Sequence, residues 1–192
     1  MYKVCKTEES ALRQQMLEEH LLKTMLAKPY EKITISGLCQ EAGIPRKAFY
    51  RYFSTMNDAL LALIDHTLAG SNTMTLMGWD GSDRITCQTL EYFFTYWQEQ
   101  KPFLDALTAN QLWPLLLERT TAFINRQKTG EDYPLSPEDF EEDLPNYFVS
   151  CGLMTTVLRW HACGYPATPK KLAERVTKLL TEPDISLTLL MR

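Results

Sequence analysis

Ile33-Thr-Ile-Ser-Gly-Leu-Cys-Gln-Glu-Ala-Gly-Ile-Pro-Arg-Lys-Ala-Phe-Tyr-Arg-Tyr-Phe53 reads as two short helices joined by one tight turn. Thr34 suits the cap of a first helix over about 35–42, where its hydroxyl can take a free backbone N–H. Gly43 supplies the left-handed turn position that other residues reach only at a cost. Pro45 opens the next helix, where its missing N–H does no harm, and that helix runs to about Tyr52. Ile33, Ile35, Leu38 and Ala42 face a small core. Phe49 and Phe53 are four apart and anchor the second helix inward. Arg46, Lys47, Ala48, Tyr50 and Arg51 are left to face outward or flank. This is a helix-turn-helix, and its second helix has the cationic and hydroxyl groups needed to meet a nucleic-acid backbone.

Helix signals continue on both sides. Thr7 caps an expected helix through about Ala27, with Leu17, Leu21 and Met25 in one stripe. Lys28 precedes Pro29 and so ends it. Ser54 or Thr55 caps a helix over about 56–69 with the stripe Leu60, Leu63, Ile64 and Leu68. Gly70 to Asp83 reads as a boundary. Further helices are expected at about 84–100, 102–109, 111–128, 137–163 and 169–181. Pro102, Ser136-Pro137-Glu138-Asp139 and Thr168-Pro169 mark helix starts. Pro114 is tolerated if Asn110 caps its helix, and Pro145 should kink or split the 137–163 segment. No segment reads as a strand. The expected fold is all-α: a three-helix helix-turn-helix head (1–55) and a helical body (56–192) joined through the linker helix 56–69.

Composition sets the outer limits. The chain has 192 residues and is 45% hydrophobic, enough for a real core. No apolar run approaches the roughly 20 residues of a membrane span, and the start lacks a signal peptide's apolar stretch, so a cytoplasmic location without membrane contact is expected. The five cysteines are scattered without CxxC spacing and read as buried free thiols, not a metal site or disulfide framework. Residues 1–66 hold nine Lys/Arg against eight Asp/Glu (+1), and residues 67–192 hold eleven against sixteen (−5). Residues 45–53 carry three cations and no acid. An acidic body with a basic tip suits a protein that touches a polyanion at one end.

Residues 12–68 resemble the N-terminal domain of the tetracycline-repressor (TetR/AcrR) family of bacterial regulators. The matching residues are Ile33-Thr34-Ile35, Leu38, Ala42-Gly43-Ile44, Phe49-Tyr50-Arg51-Tyr52-Phe53 and Ala59-Leu60. The resemblance implies a DNA-binding set of Thr34, Ser36, Arg46, Lys47, Ala48, Tyr50, Arg51 and Tyr52. Arg46, Lys47 and Ala48 would approach base edges in the major groove. Two departures stand out. Met56 occupies a position near the start of helix 4 where the family usually has Lys. Gly37 sits inside helix 2, at about 0.5–1 kcal/mol relative to Ala. Residues 147–166 and the following Thr168-Pro-Lys-Lys-Leu-Ala resemble the C-terminal domain of a Firmicutes-type branch of the family.

The same resemblance implies a body that binds a ligand and dimerises. Candidate pocket residues are Phe93, Tyr96, Trp97, Leu112, Trp113, Leu116, Tyr147, Cys151 and Met154, which suit an apolar or aromatic small-molecule effector. Candidate interface residues are Val149, Gly152, Leu153, Thr156, Val157, Trp160, Leu172 and Val176. Glu91, Arg119 and Arg159 are the charges placed where burial is plausible. The chain shows no phosphate loop, no metal spacing and no local nucleophile–base pair, so it reads as a non-enzyme without cofactor or metal. The expected function is a ligand-responsive homodimeric regulator that binds a double-stranded DNA operator, a repressor released by its inducer. The alternative is a coactivator that does not bind DNA and acts through a protein partner.

Overall fold

A computed structural model describes residues 2–3, 5, 7–77, 85–129 and 140–181. The fold is all-α, with nine α-helices among the described residues: α1 (Glu8–Ala27), α2 (Ile35–Glu41), α3 (Arg46–Tyr52), α4 (Met56–Met77), α5 (Cys87–Glu99), α6 (Lys101–Ala109), α7 (Trp113–Thr129), α8 (Phe140–Ala162) and α9 (Pro169–Thr181). One 3₁₀ turn, Tyr30–Lys32, lies between α1 and α2. The chain forms two compact units. One comprises Met1–Leu68 and Lys101–Thr156, the other Ala69–Gln100 and Val157–Arg192.

The first unit is built around α1. Its stripe at four-residue spacing, Leu17, Leu21 and Met25, is buried, and α1 packs on α2 and α6. Thr7 caps α1 by accepting the Ser10 N–H, and Lys28 ends it in extended backbone. Asn110 does not cap α7. Its amide donates to the Met25 and Ala106 carbonyls and its oxygen accepts the Tyr30 N–H at 2.6 Å, tying the end of α6 to the end of α1. Pro114 needs no such cap, because it is the second residue of α7, where N–H groups have no intrahelical partner.

Helix α4 begins with a reciprocal cap. Thr55 Oγ1 accepts the Asp58 N–H at 3.1 Å, and Asp58 Oδ2 accepts the Ser54 and Thr55 N–H groups at 3.0 Å each. The helix then runs past the expected end at 69, through Gly-Ser-Asn-Thr, to Met77. Its hydroxyls are absorbed internally: Thr67 bonds the Leu63 carbonyl and Thr75 the Ser71 carbonyl, both at 2.8 Å. The later part of the expected boundary, and the capping box at 136–139, fall outside the described residues. Helix α8 continues unbroken through Pro145. The proline forfeits the bond to the carbonyl of Glu141 and its ring crowds that carbonyl, and both residues are exposed to water.

The second unit has an aromatic core. Thr86 caps α5, and Leu90, Phe94 and Trp97 are buried on its inner face. Phe94 meets Trp160 edge-on at 5.9 Å, and Trp160 meets Tyr165 at 4.7 Å. Helix α9 packs along α5 with Ala173 buried. Gly70 lies against Tyr96, so closely that an added Cβ would stand 2.5 Å from the phenol oxygen and 3.1 Å from Cζ. Ordinarily Gly→Ala in a helix gains about 0.5–1 kcal/mol. Here the ring would have to swing out, so we expect Gly70→Ala to lower stability by about 1–3 kcal/mol, the cost of overpacking. A thermal melt of the variant checks this; a rise in melting temperature would show that Tyr96 yields freely.

Candidate nucleic-acid interface

The turn between α2 and α3 is closed by two backbone bonds. Ile44 N–H reaches the Cys39 carbonyl at 2.9 Å and Gly43 N–H the Gln40 carbonyl at 3.2 Å. Gly43 has φ +66°, the left-handed value this helix ending requires. Thr34 caps α2 by accepting the Gly37 N–H at 3.1 Å. A Cβ at position 37 would lie 3.2 Å from that same hydroxyl, so the glycine inside α2 leaves room for its own cap.

Helix α3 has two unlike faces. Phe49 and the following Phe53 are 0% exposed, with ring centroids 5.2 Å apart. Arg46, Lys47, Tyr50 and Arg51 are exposed, and Ala48 is half-buried. The first turn of α3 contains no acid. Arg46 Nη2 donates to the Tyr50 hydroxyl at 3.2 Å, with its guanidinium carbon 6.0 Å from the ring centroid. The pair forms one cationic patch at i, i+4 spacing. Thr34 and Ser36 are exposed on α2. Tyr52 differs from the rest of the expected set: its side chain is buried beside Phe53, and its carbonyl accepts the Lys3 N–H at 2.9 Å. Period arithmetic explains this, since position 52 follows Phe49 by three and shares its inward face.

The expected pocket residues divide between the units. Phe93, Tyr96 and Trp97 belong to the second, where Trp97 is fully buried and burial, then the charge of Glu99, pushes the Tyr96 hydroxyl up to about 12. Leu112, Trp113, Leu116, Tyr147, Cys151 and Met154 belong to the first. There Leu116 and Met154 are buried, Trp113 is largely exposed, and burial raises the Cys151 thiol. Of the expected interface, Val157 and Trp160 turn into the chain's own core, and Trp160 Nε1 donates to the Ala167 carbonyl at 3.0 Å. Gly152 is exposed, while Val149, Leu153, Thr156, Leu172 and Val176 are half-buried. The outer face of α8 is carried instead by Leu144, Phe148, Gly152 and Thr155, with Phe148 72% exposed.

Sequence reasoning missed the buried carboxylate at Asp65. Asp65 on α4 is 4% exposed. It accepts Arg119 in a fork, Nε to Oδ1 at 2.8 Å and Nη2 to Oδ2 at 2.7 Å. It also meets Arg126 at 3.1 Å and the Tyr2 hydroxyl at 2.7 Å. Burial, then the Asp65 carboxylate, raises the Tyr2 hydroxyl to about 12. Of the three charges expected inside, Arg119 alone is inserted this way; Arg159 is exposed and Glu91 half-buried. Among the described residues no group of His, Cys, Asp and Glu is arranged to hold a metal ion, and no helix is long and apolar enough to cross a membrane.

The sequence matches no protein family and no curated protein. Solved structures that share its fold include two bacterial regulators. One is the dihydroxyacetone kinase operon activator DhaS, at 20% identity and a TM-score of 0.51, covering 87% of this chain and 93% of that one. The other is the fatty acid degradation regulator FadR from Bacillus halodurans, at 12% identity and a TM-score of 0.57, covering 95% and 99%. At these identities the likeness is one of fold.

Proposed function

We propose that this chain is a DNA-binding transcription regulator that acts as a homodimer and answers to a small apolar or aromatic effector, as a repressor released by its inducer. The observation that carries the reading is α3: an acid-free helix, seated by two buried phenylalanines, presents Arg46, Lys47, Tyr50 and Arg51 to solvent beside a left-handed turn. A helix so displayed fits the major groove, and two of them in a dimer would meet half-sites about 34–36 Å apart. DhaS, an operon activator, and FadR, a fatty acid degradation regulator, share the fold and support the class. The exposed α8 face of Leu144, Phe148, Gly152 and Thr155 is the proposed self-association surface. An effector would act through unequal affinity for DNA-competent and DNA-incompetent forms.

Selection from a random duplex pool at two salt concentrations tests the reading. Recovery of a palindrome supports it, and no enriched motif from folded protein at low salt overturns it. On the recovered site, Arg46→Ala should lose roughly 1–3 kcal/mol, about 5- to 150-fold, and relax preference at one base pair. Lys47→Ala should weaken all sequences alike and flatten the salt slope by about one if it meets phosphate. Met56 at the start of α4, where the resembling family has Lys, favours a second reading: a coactivator that engages a protein partner. That reading gains if the folded dimer ignores DNA but binds a regulator independently of salt.

A further inference from the structure

Helix α1 and helix α4 are joined by one charged contact. His66 Nδ1 lies 2.8 Å from Glu18 Oε2. Glu18 is 2% exposed, while the imidazole is half open to water. Glu18 Oε1 has no hydrogen-bond partner among the described residues. Among the described residues His66 supplies the counter-charge of this carboxylate, and an unpaired ion at such depth is costly. Tyr2 closes the site from the N-terminal arm, its ring edge-on to the imidazole at 5.9 Å and its hydroxyl on the neighbouring Asp65.

We propose that the Glu18–His66 pair is a proton-operated latch between α1 and α4, closed when the imidazole is charged and loosened when it is neutral. The other ionisable groups that face it are Asp65, Tyr2 and Cys5. Asp65, one residue along α4, is held by Arg119 and Arg126 of α7. Tyr2 keeps its proton, because burial and Asp65 raise it to about 12. Cys5 of the arm is raised by burial and by Glu18, and its thiol donates to Gln14 Oε1 at 2.8 Å. His66 is left to change charge. The hydrogen bond that its ring N–H donates to Glu18 raises its pKa; burial opposes, and the charges of Glu18 and Asp65 reinforce the rise. A raised folded-state value means that the stabilisation is complete below about pH 6.5, the ordinary histidine value, and is lost as pH climbs through the folded value.

The latch itself does not depend on DNA binding. Its consequence for DNA does rest on the reading above: α1 packs on α2 and α4 follows α3, so the charged form would hold the reading helices more firmly. The test is an imidazole titration by NMR together with urea unfolding at pH 6 and pH 8.5. The wild type should show His66 above about 6.5 and a urea midpoint that falls from the lower to the higher pH. Glu18→Gln should return His66 to its ordinary value or below. His66→Gln should start from a lower midpoint at pH 6 and lose most of the pH dependence. A wild-type His66 at or below 6.5, or a His66→Gln variant that keeps the full wild-type slope, overturns the latch.

Discussion

Asp65→Asn is expected to destabilise the first unit by about 3–5 kcal/mol, the range found when one partner of a buried ion pair is removed. The substitution keeps the volume and removes the charge. Asp65 is 4% exposed, accepts the Arg119 fork and the Tyr2 hydroxyl on its two oxygens, and lies 3.1 Å from the Arg126 guanidinium. An amide would turn an N–H₂ towards donors on at least one side and leave two guanidinium groups facing a neutral partner. Exposed pairs such as Arg13–Glu9 lack this leverage and contribute about 0–1 kcal/mol. Urea unfolding followed by circular dichroism at pH 7 measures the difference. A loss below about 1 kcal/mol would place Asp65 in the exposed class and remove it as the unit's electrostatic hub.

Phe49→Ala is expected to cost a similar amount, about 3–5 kcal/mol. Phe49 is fully buried and its ring meets those of Tyr50 and Phe53 at 5.6 and 5.2 Å. Helix α3 has seven residues. A helix of that length has no stability of its own in water and persists only through its packing. Loss of the anchor should therefore loosen α3 beyond the global effect, and its amides should exchange faster than those of α1 in hydrogen-exchange experiments. A small stability loss with unchanged α3 protection would mean that Phe53 alone seats the helix.

The parts of the fold that were legible in the sequence are the local ones. Thr34, Gly43 and Pro45 act within a turn of themselves, and each does in the structure what its chemistry dictates. The Leu17–Leu21–Met25 stripe is likewise one helix speaking for itself. What escaped was decided at a distance. Helix α4 runs on through its helix-poor stretch, with Gly70 set closely against Tyr96 of α5. Asn110 looked like a cap for the helix ahead but bonds back 80 residues to Tyr30. Asp65 finds Arg119 across 54 residues, and Glu18 finds His66 across 48. No spacing rule reaches that far. Tyr52, which the family resemblance had put in the DNA-binding set, is instead buried, because a run of aromatics hid the three-residue return from Phe49 to the inner side.

The placement of the tryptophans governs what light can report about this molecule. Residues 1–68 contain none. Trp97 and Trp160 are sealed inside the second unit, while Trp113 already faces water and Trp79 lies outside the described residues. The red shift of emission on unfolding, and the gain in quenching by acrylamide, will come chiefly from the second unit's aromatic core. Melting of α1–α3 will be dark at that wavelength. Far-ultraviolet dichroism weighs every helix, so superposition of the dichroic and fluorescent curves becomes a direct test of whether the two units unfold as one.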